Sequence, residues 1–221
     1  MKKILFASLL YFLAFLNVSA KEFSETKYFK TITSADLKYN ITYEITKEEY
    51  ENNNISLLTV VENTEYKKLT ISTTNGEVSL DLEWKKLPKY RSFDVIALRG
   101  ENISFISSTI SGKQAYNSNN VWNSIYYSNT NGNVKIFNDG FGVSMNLVDT
   151  ANGYKLSIKS RYNITGSNPK IYGTYQHSQK NITLTQSQKY SINSNGYGKV
   201  LLFDNSVKNY FDNMNGIVLE L

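Results

Sequence analysis

Cysteine is absent from this 221-residue chain, and the chain contains a single histidine. Without cysteine there is no disulfide framework, no thiolate nucleophile and no thiolate metal site. One histidine cannot form a histidine metal cluster, nor a Cys-His catalytic pair when cysteine is missing. We therefore predict that the protein binds no metal or other cofactor, and that burial of apolar side chains alone holds its fold together.

Dense clusters of basic residues are lacking as well. The 24 Lys and Arg residues exceed the 19 Asp and Glu residues by five, and two of the lysines, Lys2 and Lys3, fall in the leader described below. Without those two, 22 basic residues face 19 acidic ones, a net charge of +3. No group of Lys and Arg is dense enough to follow the phosphates of a nucleic acid, so nucleic acid is not a predicted partner.

Residues 1–20 have the three parts of a secretory signal peptide. Lys2 and Lys3 form a basic start, an apolar run extends to Val18, and Ser19-Ala20 supplies small residues for cleavage. The apolar run of about 15 residues is shorter than the roughly 20 that span a bilayer as a helix. We predict cleavage after residue 20, no transmembrane helix in the mature chain, and export from a bacterial cell. The destination is extracellular or the cell surface, with the periplasm and the outer membrane left open.

Large apolar side chains alternate with polar ones along much of the chain. The alternation is clearest at the odd residues of 37–45. A period of two is that of a half-buried β-strand, and the abundant Tyr, Phe, Ile, Val and Thr suit such a surface. Further runs are Val78/Leu80/Leu82/Trp84, Phe141/Val143/Met145/Leu147 and Tyr154/Leu156/Ile158, with shorter runs that include Phe93/Val95 and Ile182/Leu184.

Asn-Gly and Asp-Gly pairs punctuate these runs and are typical of tight type I′ turns. Asn75-Gly76 is one example, and Asn152-Gly153 is predicted to join residues 143–148 and 154–162 as a hairpin. Helical turns are predicted only at 47–52 and 206–213. The fold class is therefore predicted to be all-β, an antiparallel β-sandwich of the immunoglobulin-like or jelly-roll-like kind with minor helix.

The clearest shift in composition lies at residues 107–120, which are rich in Ser and Asn and lack apolar alternation. We predict a long loop there, within a single sandwich domain of residues 21–221. The alternative is a linker that separates two lobes. The single domain is favoured because Tyr116 and Trp122 flank the stretch closely.

No group of residues has the pattern of a catalytic site. His177 lies in a polar segment without a nucleophile-elbow glycine pattern, so it is expected to be an exposed residue at a strand end. Asp81 and Glu83 share one strand face and are expected to form its solvated side rather than a glycosidase pair. Met214 stands in 212–216 where a calcium loop would need an oxygen ligand. We predict no catalytic residue and no enzymatic activity.

Residues 116–133 combine aromatic and amide side chains. Aromatic faces stack on sugar rings and amides bond to hydroxyl groups, so this segment is a candidate binding site for a host or surface glycan. The alternative is that Trp122 and Ile125 or Tyr126 are core residues of a strand, which the usual burial of aromatics favours. The candidate ligand-binding residues are Asn120, Trp122, Asn123, Tyr126 and Tyr127.

Two segments resemble a known family. Residues 38–46 (KYNITYEIT) resemble the N-terminal strand of the Cys-free, alternate-type pilins built by chaperone–usher systems, and residues 210–221 are similar to their closing strand. The resemblance implies an immunoglobulin-like domain that lacks one strand, which the N-terminal extension of a neighbouring subunit fills by β-strand addition. It implies a polymer of like subunits; an ordinary strand of the chain's own domain is the favoured alternative. The donor residues would be Leu37, Tyr39, Ile41, Tyr43 and Ile45.

The sequence as a whole predicts an exported, non-enzymatic protein of surface attachment, or a fimbrial subunit assembled by strand addition. Two alternatives stay open. One is a small outer-membrane β-barrel, against which the short alternating runs argue, because membrane strands need about 9–11 residues. The other is a free secreted or periplasmic glycan-binding module.

Overall fold

The computed structural model describes residues 22–33, 40–52, 63–194 and 198–221. The predicted signal peptide, together with Leu37 and Tyr39 of the predicted donor strand, lies outside the described residues. Within them, fifteen strands form two large antiparallel sheets and one hairpin. The prediction of an all-β sandwich with minor helix is confirmed. Among the described residues, no helix has the length and apolar content of a membrane span.

The larger sheet has the strand order β2-β1-β3-β4-β11-β7-β8, and β6 pairs with the far end of β11. Its strands are β1 (Phe23–Thr33), β2 (Asn40–Ile45), β3 (Asn63–Thr74), β4 (Glu77–Lys86), β6 (Ile103–Phe105), β7 (Ser111–Ser118), β8 (Val121–Ser128) and β11 (Gly153–Ile164).

The smaller sheet has the order β15-β12-β5-β10-β9. Its strands are β5 (Phe93–Glu101), β9 (Val134–Ile136), β10 (Gly140–Asn146), β12 (Lys170–Gln176) and β15 (Ile217–Glu220). The remaining elements are the hairpin β13 (Tyr190–Ile192) and β14 (Leu201–Phe203), the short helices α1 (Lys47–Asn52) and α2 (Leu184–Ser187), and 3-10 turns at Ser107–Thr109 and Lys208–Tyr210.

The main core lies between the two sheets and follows the predicted alternation. On β4 the apolar residues Val78, Leu80, Leu82 and Trp84 are all buried, while Asp81 faces solvent as expected. The inward side chains of β10 and β11 meet them from the facing and neighbouring strands. The alternation on β4 therefore reflects a strand with one face packed on the core and the other face in water.

A second core covers the other face of the smaller sheet. Hairpin β13–β14 and the chain around α2 pack there, against side chains such as Val95 and Tyr172. As a result β5 is buried on both faces except at its ends. The run Ile182/Leu184, predicted as a strand, instead leads into α2, where Thr183 and Gln186 form a capping box. That strand prediction is wrong because local capping chemistry outweighs a two-residue alternation.

The turns only partly follow the predicted pattern. Asn75-Gly76 joins β3 to β4 with φ of +54° and +73°, as a type I′ turn requires. The hairpin predicted at Asn152-Gly153 is wrong, because β10 pairs with β5 and β9 whereas β11 pairs with β4 and β7. The chain crosses from one sheet to the other at that point.

Two further expectations need correction. Residues 107–120, predicted as a loop or linker, contain a 3-10 turn and β7, which lies inside the larger sheet between β11 and β8.

On β2 the odd residues Ile41 and Tyr43 lie on the outer face and are 52% and 37% exposed, whereas Thr42 is buried. Alternation thus located the strand but assigned its faces wrongly, because β1 presents its polar Thr31 to the core at this edge and pairs it with Thr42.

Candidate binding surface

The hairpin β7–β8 ends the larger sheet on the side away from β2. Asn119 and Asn120 form its two-residue turn, with φ of +52° and +63°. Both values are in the left-handed region, which asparagine tolerates better than other residues with a β-carbon. The turn is therefore of the type I′ kind, although it contains no glycine.

Edge strand β8 exposes most of its side chains on both faces. Trp122 is 52% exposed and Tyr126 is 70% exposed. They project from the same outer face because they are an even number of residues apart, at a separation of about 13 Å along the strand. The alternative that places Trp122 and Tyr126 in the core is wrong.

Trp122 lies over a small residue of the next strand but one. A β-carbon added at Gly153 would lie 3.5 Å from its ring. The Lys155 ammonium lies 5.7 Å from the centroid of the same ring and 3.4 Å from Glu83. The indole ring thus packs over the backbone at Gly153 and has a lysine ammonium beside it.

Tyr126 has a similar cationic neighbour. The Lys113 ammonium, on β7, lies 5.8 Å from the centroid of its ring. The Tyr126 carbonyl accepts a long hydrogen bond of 3.4 Å from the Asn131 side chain. The two aromatic residues of the outer face therefore share one arrangement, an exposed ring with a lysine beside it.

The other three candidate residues differ from one another. Asn120 and Asn123 are exposed, and the Asn123 amide donates to the Val121 carbonyl at 3.2 Å. Tyr127 faces the core and is 7% exposed, with its hydroxyl accepting from the Gln114 amide at 3.2 Å. Burial raises the pKa of Tyr127 to about 12. Its prediction as an exposed contact residue is therefore wrong, because it lies on the inner face of β8.

The described donor-strand candidates are already paired within the chain. Ile41, Tyr43 and Ile45 belong to β2, whose register with β1 runs from Ile45 opposite Tyr28 to Asn40 opposite Thr33. This arrangement matches the alternative of an ordinary strand. Donation to another subunit stays a prediction.

A group of charged and polar side chains that was not predicted from sequence lies buried between the sheets. The Lys67 ammonium is 2.5 Å from the Asp212 carboxylate, and both side chains are fully buried. The ammonium also lies 4.7 Å from the centroid of the Trp84 ring. This ion pair joins β3 of the larger sheet to the segment that leads into β15 of the smaller one.

His177 belongs to the same buried group. It is 1% exposed, so the expectation of an exposed strand-end residue is wrong. Its Nδ1 lies 3.0 Å from both oxygens of Asp94, and its backbone N–H donates to Asp212 at 3.1 Å. The Tyr175 hydroxyl donates to Asp94 as well. No local signal could reveal these contacts, because Asp94 is 83 residues away along the chain.

Burial and the charge of neighbouring carboxylates together determine the pKa shifts of His177 and Tyr175. Burial by itself lowers the pKa of His177, but the carboxylates of Asp94 and Glu65 outweigh it, and the net effect is a raised pKa. Burial, together with the Asp94 charge, raises the pKa of Tyr175 well above its usual value. The Tyr175 phenol therefore stays neutral at physiological pH and remains the donor of its hydrogen bond to Asp94.

No family model matches the chain, and no curated protein matches it either. Three solved structures similar to it have TM-scores of 0.32, 0.34 and 0.34 and identities of 14%, 12% and 9%. The first is the collagen-binding domain from a Staphylococcus aureus adhesin, with 48% of this chain and 79% of that one covered. The second is the KRT10-binding region domain of the pneumococcal serine-rich repeat protein PsrP, with 71% and 86% covered.

The third is a chain from the structure of manganese lipoxygenase of Gaeumannomyces graminis with partial zonadhesin of Komagataella pastoris, with 94% and 74% covered. Bacterial surface adhesin domains are thus among the structural neighbours, and none of the three is named as a chaperone–usher pilin. Likeness of this degree carries no argument about ligand, activity or assembly.

Proposed function

We propose that this protein is an exported, non-enzymatic adhesion module of the bacterial surface that binds carbohydrate through the outer face of β8. The observation that carries the proposal is the exposure of Trp122 and Tyr126 on one face of a hydrogen-bonded strand. Large aromatic side chains are normally the residues that folding buries. Two of them exposed on the same face of one strand supply contact area to a ligand.

Carbohydrate is the ligand whose chemistry fits this surface. An aromatic ring offers a flat apolar face to the C–H groups of a sugar, and amides and hydroxyls nearby bond to its hydroxyl groups. Ser124 lies between the two rings on the outer face of β8, and Asn120 is exposed in the adjoining turn. The separation of about 13 Å between Trp122 and Tyr126 exceeds the width of one sugar ring, so the proposed ligand is an oligosaccharide.

A glycan array probed with mature protein, residues 21–221, tests the proposal. We expect binding that weakens about tenfold or more, roughly 1.4 kcal/mol, on Trp122→Ala or Tyr126→Ala. Tyr43→Ala is the matched control, because Tyr43 is an exposed aromatic on the outer face of the same sheet at its opposite edge. Binding that persists in both β8 variants, or no binding to any glycan, would reject the proposal.

A second candidate function is a fimbrial subunit that accepts a strand from a like subunit. The observation that favours it is a groove of about 420 Å³ beside edge strand β15, lined by side chains that include Phe23, Lys27, Ile217 and Leu219. A strand added to the edge of β15 would extend the smaller sheet and fill this groove.

A fluorescent peptide of residues 37–45, the predicted donor segment, tests this second candidate. We expect saturable binding to the folded protein by fluorescence anisotropy, and no binding by a peptide of the same composition in scrambled order. Equal behaviour of the two peptides would dismiss strand addition at this groove.

A further inference from the structure

Edge strand β8 lacks the devices that usually prevent two sheets from joining. Its eight residues, VWNSIYYS, include no charged residue and no proline, although 19% of the chain is charged. Exposed edges of natural sheets are commonly guarded by charge, proline, a bulge or short length. The edge strand β2, at the opposite end of the same sheet, carries Glu44, which pairs with Lys27 at 2.8 Å.

The type I′ turn determines which backbone groups of β8 point outward. Such a turn makes its flanking residues, Ser118 and Val121, a hydrogen-bonded pair, and bonding to β7 then recurs at every second residue. Trp122, Ser124 and Tyr126 consequently direct their N–H and C=O groups away from β7. The ladder they offer ends at Ser128, whose carbonyl accepts from the Asn131 N–H at 3.3 Å.

We propose that a second copy of this chain pairs with β8 in antiparallel register, about a two-fold axis at Ser124. In this register Trp122 of each copy stands opposite Tyr126 of the other, and Ser124 stands opposite Ser124. All three residues with outward backbone groups then make two hydrogen bonds each across the interface. The Tyr126 carbonyl, which accepts the 3.4 Å bond from the Asn131 side chain, accepts its interface bond on the second lone pair. Axes at the other positions from Trp122 to Tyr126 set at least one of these residues opposite the turn or opposite Ser128 and the residues after it. Only the axis at Ser124 sets all three opposite one another.

The side chains also match across this interface. On the outer face each Trp122 lies beside a Tyr126, and cross-strand aromatic pairs stabilise antiparallel sheets. On the inner face Ile125 lies beside Asn123. β8 itself has no charged residue, and the nearest lysines, Lys113 and Lys155, belong to β7 and β11. Like charges are therefore not brought opposite each other by the pairing of the two β8 strands. The positive net charge of the chain acts only at longer range, where salt screens it.

Pairing in the plane of the sheet leaves the outer face of the hairpin exposed. The dimer would therefore present two copies of the proposed carbohydrate surface on one continuous sheet. The inference itself does not depend on carbohydrate binding, since it follows from the edge composition and the backbone groups.

The absence of cysteine allows a clean cross-linking test on mature protein, residues 21–221. Ser124→Cys at the proposed axis should give mainly covalent dimer with a short bismaleimide. Ser157→Cys is the matched control, because Ser157 lies on the same outer face but on β11, two strands from the edge. It should stay monomeric on a denaturing gel.

Solution mass by light scattering provides the second measurement. We expect twice the mass of one chain for the unmodified protein and for Ser124→Thr, and a single-chain mass for Ser124→Lys, which sets two like charges opposite each other. A mixture of Ser124→Lys and Ser124→Glu should recover the double mass. A monomeric unmodified protein, a dimeric Ser124→Lys variant, or equal cross-linking of the two cysteine variants would each overturn the proposal. Light scattering and cross-linking are both carried out without glycan, so their outcome is independent of the glycan array.

Discussion

Replacing Lys67 by methionine leaves the Asp212 carboxylate buried without its counter-charge. The pair is separated by 2.5 Å, with both side chains fully buried, and Asp212 retains the hydrogen bond from the His177 N–H. Removing one member of a buried ion pair costs about 3–5 kcal/mol, because the remaining charge stays desolvated. The contact of the ammonium with Trp84 is lost as well, whereas methionine fills most of the vacated volume. We expect Lys67→Met to lower the free energy of unfolding by about 3–5 kcal/mol.

The adjacent residue supplies the control. Lys68 is on the outer face of β3, 2.7 Å from Glu83, with about a third of its side chain exposed, and such surface pairs contribute about 0–1 kcal/mol. Guanidinium unfolding followed by tryptophan fluorescence should therefore separate Lys67→Met clearly from Lys68→Met. The double variant Lys67→Met/Asp212→Asn should recover part of the loss, since the isolated charge is gone. Equal losses for the two single variants would refute the reasoning.

Two further predictions concern the buried histidine and the packing of the third layer. Because the pKa of His177 is raised, its contribution to stability is complete below its unfolded value of about 6.5 and is lost as pH rises through the folded pKa. The melting temperature between pH 6 and 9 should therefore fall more in the unmodified protein than in His177→Gln. Equal slopes for the two proteins would contradict this prediction. Gly142→Ala should cost about 1–3 kcal/mol, because its β-carbon would lie 2.5 Å from the Tyr190 hydroxyl. Gly153→Ala should be nearly neutral, since its nearest contact is an ordinary 3.5 Å, and similar losses for both in chemical unfolding would exclude the steric explanation.

Alternation located strands of both kinds, including β10, which is buried at six of its seven residues, but it did not reveal the layer that covers the second face of the smaller sheet. β4 shows the full alternation from Val78 to Trp84 because solvent lies on one side of it. β5 is buried at nearly every position, since hairpin β13–β14 covers its second face, and residues 95–98 are four consecutive apolar residues within it. Alternation along one strand carries no information about the third layer, because that layer forms by packing of residues distant in the sequence.

The candidate site was predicted in part for a similar reason. Trp122 and Tyr126 stand out as large aromatics among asparagines, but whether they face water depends on how many strands lie beyond β8. The hairpin itself was hidden because its turn uses Asn119-Asn120 rather than Asn-Gly. The faces of β8 follow once the turn is known, since residue 127 must then point opposite to residue 126.

A few charged side chains lie between the sheets, away from water, whereas the exposed strand β8 has none. Lys67, Asp94, His177 and Asp212 are buried between or beside the sheets, and each is opposed by an opposite charge or a hydrogen bond there. A shift of either sheet by one residue would separate these partners and leave charges unpaired, which is costly in a low dielectric. The buried group thus disfavours other alignments of the sheets. Uncharged β8, with its outward backbone groups and exposed rings, is then a preformed surface on which binding costs little ordering entropy.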